Sequence, residues 1–264
     1  MNQKLTVLIV FRWMMKKMIA VIIVFFIMFF AINAPSTSQA ALNSDVKRAK
    51  AFMAAGMYQQ AIELLDKRIS EKPTDVEAHF QLGICHTNTG SLTKANTRFV
   101  RTVELNPGYG YKIGGECKTI GDKALNNGDY GRARSLYQLA IKYQPNLKRK
   151  IAKDCFHQGQ NHFNYKNYGP ADSIFTLAAA FDSSYNQQIS EMYFNLGNSA
   201  DGIHCIDYFR ISAKYSDSYN QKIGQNLAAL TMGQITPEAD KKIYKKEASK
   251  YLSRVEMKKA FPPD

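Results

Sequence analysis

No acidic residue occurs among the first 40 residues, which hold Lys4, Arg12, Lys16 and Lys17. The formal charge of +13 therefore leaves 13 − 4 = +9 for the rest, of which the last thirty residues hold 8 − 5 = +3. The extracytoplasmic location read from the amino terminus removes the usual nucleic-acid partner, so none is expected. No cysteine follows the apolar run Met18 to Ala34, so a lipoprotein anchor is not indicated. Nucleophile–base motifs and paired catalytic carboxylates are missing. Gly114-Gly115 lacks the Lys-Ser/Thr that a phosphate-cradling loop needs. The chain is thus expected not to be an enzyme and to need no cofactor.

Histidine and cysteine are sparse. His157 and His162 are five apart, which places them on different faces of a helix rather than on a shared metal-binding face. Cys85-His86 and His204-Cys205 are neighbours in sequence and diverge by about 100° on a helix. No metal site is expected. Cys117 and Cys155 occupy one column of successive repeats, where helix axes stand about 8–10 Å apart, too far for the ~7 Å Cα separation of a disulfide. Buried free thiols are expected.

What is present is ordinary for a folded protein: 45% hydrophobic and 22% charged residues argue against wholesale disorder. Lys16-Lys17 precede the 17-residue apolar run Met18 to Ala34. At ~1.5 Å per residue that run reaches roughly 25 Å, short of a ~30 Å hydrocarbon core. Ser38-Gln39-Ala40 then supplies small residues at a cleavage position, so residues 1–40 read as a signal peptide cut near Ala40, with Met15 the better start. The alternative is a single-pass anchor, with membrane attachment through 18–34 and Lys16 and Lys17 on the cytoplasmic side. Either reading puts the body on the extracytoplasmic side, periplasmic or secreted in the first case.

Residues 41–233 repeat. Gly83 is followed sixteen residues later by Phe99 and eight after that by Pro107; Ala49, Leu65, Pro73 and Gly121, Tyr137, Pro145 keep the offsets. Gly159, Phe175 and Ser183 keep them with the proline replaced. Gly56, Gly90 and Gly128 mark turns, and Ala61, Ala95, Ala133 and Ala171 form a further small-residue column. Fixed offsets of this length mark stacked helix pairs, in which small residues let backbones approach and prolines end helices.

Leu82-Gly83, Gly90, Ala95, Phe99 and Pro107 stand where the tetratricopeptide repeat family has its signature, and the resemblance covers about Leu42 to Tyr219. It implies an all-α fold, a right-handed α-solenoid of antiparallel helix pairs with about five to six repeats, whose usual work is binding proteins.

Two departures stand out. From Gly83 onward the period is 38 rather than 34, and the four extra residues carry Tyr109…Ile113, Leu147…Ile151, Tyr185…Ile189 and Tyr219…Ile223. Four residues is about one helical turn, so longer first helices are expected. In the fifth repeat Phe209 follows Gly197 by twelve residues, which predicts a lost turn near Gly202. Residues 234–264 read as a basic capping helix and tail, opened by Thr236 as N-cap and Pro237, with Ile243, Tyr251, Leu252 and Val255 as its apolar side.

The resemblance also implies a concave groove lined by the first helix of each pair. Its stripe would be Phe80, Ile84 and Asn88, then Lys118, Asp122 and Asn126, then Phe156, Gln160 and Asn164, with Phe194 and Asn198 continuing it. Aromatics mixed with amides and charges suit capture of a peptide or partner helix by apolar anchors and backbone hydrogen bonds. The stripe lacks the Lys and Asn set of the family's clamp for carboxyl-terminal peptides, so that specificity does not carry over. The expected role is a non-enzymatic interaction scaffold; the alternative is a membrane-tethered envelope assembly factor or accessory subunit.

Overall fold

The structure, a computed structural model, describes Met18 and residues 37–233 and 236–261. The apolar run beyond Met18 lies outside the described residues; among the described ones, no helix is long and apolar enough to cross a membrane. The fold is all-α, with helices packed as sequential antiparallel pairs. The chain divides into two compact units at Leu105–Asn106, the point at which the 34-residue spacing gives way to 38.

In the first unit α1 (Thr37–Ala54) pairs with α2 (Tyr58–Glu71), and α3 (Val76–Asn88) with α4 (Leu92–Leu105). Asp75 fixes where α3 begins. One carboxylate oxygen accepts from the Ala78 N–H at 3.0 Å, and the other takes the buried guanidinium of Arg68 from α2. Gly90 turns the chain at φ 82°, in the left-handed region where a side chain is strained. Ala61, Leu65, Ala78, Leu82 and Cys85 make the core of this unit.

The second unit holds α5 (Tyr109–Asn126) with α6 (Tyr130–Tyr143), and α7 (Leu147–Asn164) with α8 (Tyr168–Phe181). A 3-10 turn at Ser183–Tyr185 leads to α9 (Asn186–Ser199), which pairs with α10 (His204–Tyr215). A second 3-10 turn at Asp217–Tyr219 leads to α11 (Asn220–Met232), which pairs with α12 (Glu238–Ala248); α13 (Arg254–Ala260) ends the fold. The added turn is α-helical in α5 and α7, both 18 residues long, against 13 in α3. Before α9 and α11 it is a 3-10 turn instead, with Asp182 and Ser216 accepting the N–H of the residue two ahead.

Each glycine of the repeat column receives a ring. A Cβ at Gly121 would lie 2.8 Å from Tyr137, and one at Gly159 2.6 Å from Phe175. Gly197 meets Phe209 at 2.6 Å although only twelve residues separate them. The fifth repeat loses its turn at Ala200–Ile203, and α10 has 12 residues where α8 has 14. Removing about one helical period keeps Phe209 on the inner face, so the core contact survives the deletion.

The carboxyl-terminal segment departs from expectation. It is two helices, not one: Ser253 forms a capping box with Glu256 and starts α13 afresh. Helix α12 starts at Glu238 with Pro237, not Thr236, at its cap position, where no side chain caps it. The buried stripe is Tyr244, Ala248 and Leu252, whereas Ile243 is exposed; an i, i+4, i+8 row faces the core and its neighbour in sequence does not. Leu252 packs against Gly224 of α11, where a Cβ would stand 2.5 Å from it.

Candidate functional site

The predicted stripe falls in both units, and each part is described by itself. In the first unit Phe80 and Ile84 are buried, Phe80 packing at 6.4 Å from the Phe99 ring, while the half-buried Asn88 donates to the Ile84 carbonyl. A separate recess of about 600 Å³ lies beside His86, Asp66, Lys94 and Arg98, and Arg98 bridges to Asp66. Burial holds the His86 pKa below its ordinary value, with Lys94 and Arg98 adding to that and Asp66 opposing it.

In the second unit the two phenylalanines of the stripe are also packed inside. Phe156 is 3% exposed and Phe194 8% exposed. Tyr185 stacks on Phe156 at 4.4 Å and Tyr219 on Phe194 at 4.7 Å, so the added turn of one repeat covers the aromatic ring of the repeat before it. These rings join repeats and present little surface to a ligand.

The polar members are arranged differently. Lys118 stands in the phenylalanine column, and its partner in the tyrosine column is Leu147. Its ammonium donates to Asp122 at 2.9 and 3.2 Å, and it pairs with Asp154 of α7 at 3.0 Å; the Tyr137 hydroxyl also donates to Asp122. Burial works against the ammonium, but the bonds to both carboxylates outweigh it and raise the Lys118 pKa. Burial above all pushes the Tyr137 hydroxyl up, and the nearby carboxylates add to this.

Amides bridge the same helices. Gln158 of α7 donates to Asn126 of α5 at 2.9 Å, and Asn226 of α11 donates to Asn198 of α9 at 2.6 Å. Asn126, Asn161, Asn164 and Asn198 are exposed, with Gln160 half-buried between them. First helices of successive pairs therefore stand side by side, joined by polar side chains. The repeat period located Lys118, Asp122, Asn126 and Asn198. It missed Asp154, Gln158, Asn161 and Asn226, because the stagger between neighbouring repeats decides which of them meet.

All four cysteines are free and buried. Burial pushes the thiols of Cys85, Cys117 and Cys155 up to about 12 and that of Cys205 to about 11, so none is a ready nucleophile. Among the described residues no group of three or more His, Cys, Asp or Glu could hold a metal ion.

The chain is a helical repeat protein of antiparallel pairs, an architecture that takes protein partners in general. No protein-family model matches it, and no curated protein does. Among solved structures it is similar to one from a functional characterisation of Pseudomonas aeruginosa pilF, at 13% identity, covering 85% of this chain and 94% of that one, with a TM-score of 0.29.

Proposed function

We propose that this protein is a non-enzymatic interaction scaffold that holds a peptide segment or partner helix along the first-helix face of its second unit. The carrying observation is the row of polar side chains from Asn126 and Gln158 through Asn161 and Asn164 to Asn198 and Asn226. Amides carry both donors and acceptors, so such a row can pair with an extended backbone without demanding one side-chain sequence. The charged group at Lys118, Asp122 and Asp154 would add selectivity at one end, and the buried phenylalanines would hold the helices in register. The test is recovery of partners from envelope extract by the full-length protein and by an N126A/Q158A/N161A/N198A variant. Loss of a specific partner in a variant with unchanged circular dichroism supports the proposal; unchanged recovery overturns it.

We place this work on the extracytoplasmic side, with the support of Lys16-Lys17, the apolar run and Ser38-Gln39-Ala40. The unbroken run from Met18 to Ala34 also favours a second reading, a membrane-tethered assembly factor or accessory subunit of an envelope complex. N-terminal mass analysis separates the two: a mature chain starting after Ala40 supports export with cleavage, and an intact start supports the tether.

A further inference from the structure

A recess of about 570 Å³ opens at the helix-start edge of the second unit, away from the amide row. Pro145 and Asn146 form one wall, Lys148 and Arg149 of α7 another, and Phe181, Asp182 and Ser183 the third. The charge here is not explained by folding. The first turn of α7 holds Lys148, Arg149 and Lys150 and no acid, and no side chain caps it. Cations at a helix start oppose the helix dipole and cost stability. Lys153 continues the run one turn later. The facing carboxylate, Asp182, is already bonded to Ser184; those bonds above all hold it below the usual carboxylate range, with Arg149 and Lys148 adding to the effect. Nearby, Lys142 lies over the ring of Tyr143 at the end of α6.

We infer that this edge is a second docking surface, for an acidic extended segment of a partner protein that carries an apolar residue among its carboxylates. Two cations line the recess and two more follow on α7, against one carboxylate already bonded within its own turn. Charge complementarity of this kind sets which partners approach and how fast. The shape favours a protein segment over a lipid surface. An inserted side chain fills a recess floored by Phe181 and Pro145, whereas a planar bilayer meets only what protrudes.

The test uses the full-length protein with a fluorescein-labelled synthetic peptide rich in Glu around a central Leu. A control peptide has Gln for every Glu, and mixed phosphatidylcholine–phosphatidylglycerol vesicles form a third arm. The Glu peptide binds more tightly than the Gln peptide, and K148E/R149E weakens it about tenfold. Both changes are at exposed positions and leave circular dichroism unchanged. K242E/K246E, an equal charge change on α12, and N126A/Q158A both leave binding as in the wild type, which separates this surface from the amide row. Equal binding of the two peptides, an equal loss in K242E/K246E, or retention on the vesicles with the Glu peptide ignored would each overturn the assignment.

Discussion

Tyr185 lies flat on Phe156, with ring centroids 4.4 Å apart and planes 17° from parallel. Tyr219 and Phe194 repeat the relationship at 4.7 Å and 26°. Lys118 and Leu147 occupy the same two columns one repeat earlier, and an ion-paired cluster takes the place of the stack. The added turn thus covers a ring of the preceding repeat where it carries a tyrosine. Phe156→Ala leaves a cavity and should cost ~3–4 kcal/mol in urea unfolding. Tyr185→Leu, which copies Leu147, keeps most of the apolar contact and should cost only ~1 kcal/mol. A Tyr185→Leu cost as large as that of Phe156→Ala would show that the stack contributes well beyond the apolar area it covers.

Two backbone positions predict opposite signs. At Gly159 a methyl group would stand 2.6 Å from the Phe175 ring, so Gly159→Ala should destabilise by ~1–3 kcal/mol through overpacking. Lys166 stands at φ 60°, in the turn where other repeats use Gly56, Gly90 and Gly128. Lys166→Gly should stabilise by about 1 kcal/mol, raising Tm by roughly 2–4 °C. Calorimetry reads both.

Glu247 ties α12 to α10. Its buried carboxylate takes Arg210 at 2.8 and 2.7 Å and Lys250 at 2.7 Å, and the bond to Arg210 above all brings its pKa down to about 2. A carboxyl group with a lowered folded-state pKa stabilises fully above its unfolded value, near 4.5, and loses that contribution as pH falls toward 2. Loosening of the carboxyl-terminal helices should therefore begin below about pH 4.5. Glu247→Gln should flatten that dependence, read as hydrogen exchange at Tyr244 and Ala248.

The four thiols should react slowly with a disulfide reagent at mildly alkaline pH in the native protein, and all four should react at once in denaturant. A count below four in denaturant would show a bridge that the structure does not contain.

Much of the fold was legible because its signals are local. A glycine that must receive a ring, an alanine at a crossing and a proline after a helix recur at fixed offsets, and a period exposes them. The added turn was equally visible, although its 3-10 form before α9 and α11 depends on Asp182 and Ser216 bonding their own backbone. The candidate site was legible only by column. Phe156 and Phe194 share the stripe with the amides, yet their rings meet Tyr185 and Tyr219 of the following repeat, a contact set by how repeats stack. For the same reason nothing in the sequence paired Asn198 with Asn226 or Lys118 with Asp154. At the carboxyl terminus the sequence pattern finds Leu252 and the half-buried Tyr251 but takes Ile243 for its neighbour Tyr244, since both fit an apolar stripe until packing buries Tyr244.

The most direct test of the scaffold proposal places a photo-crosslinking amino acid at position 161, on the exposed amide row, and in a second protein at position 138, exposed on the second-helix side. After irradiation in envelope extract, position 161 should yield discrete adducts that disappear when N126A/Q158A/N198A is added, and position 138 should yield none of them. The same adducts from both positions, or none from position 161, would contradict the proposal that the first helices of the second unit hold the partner.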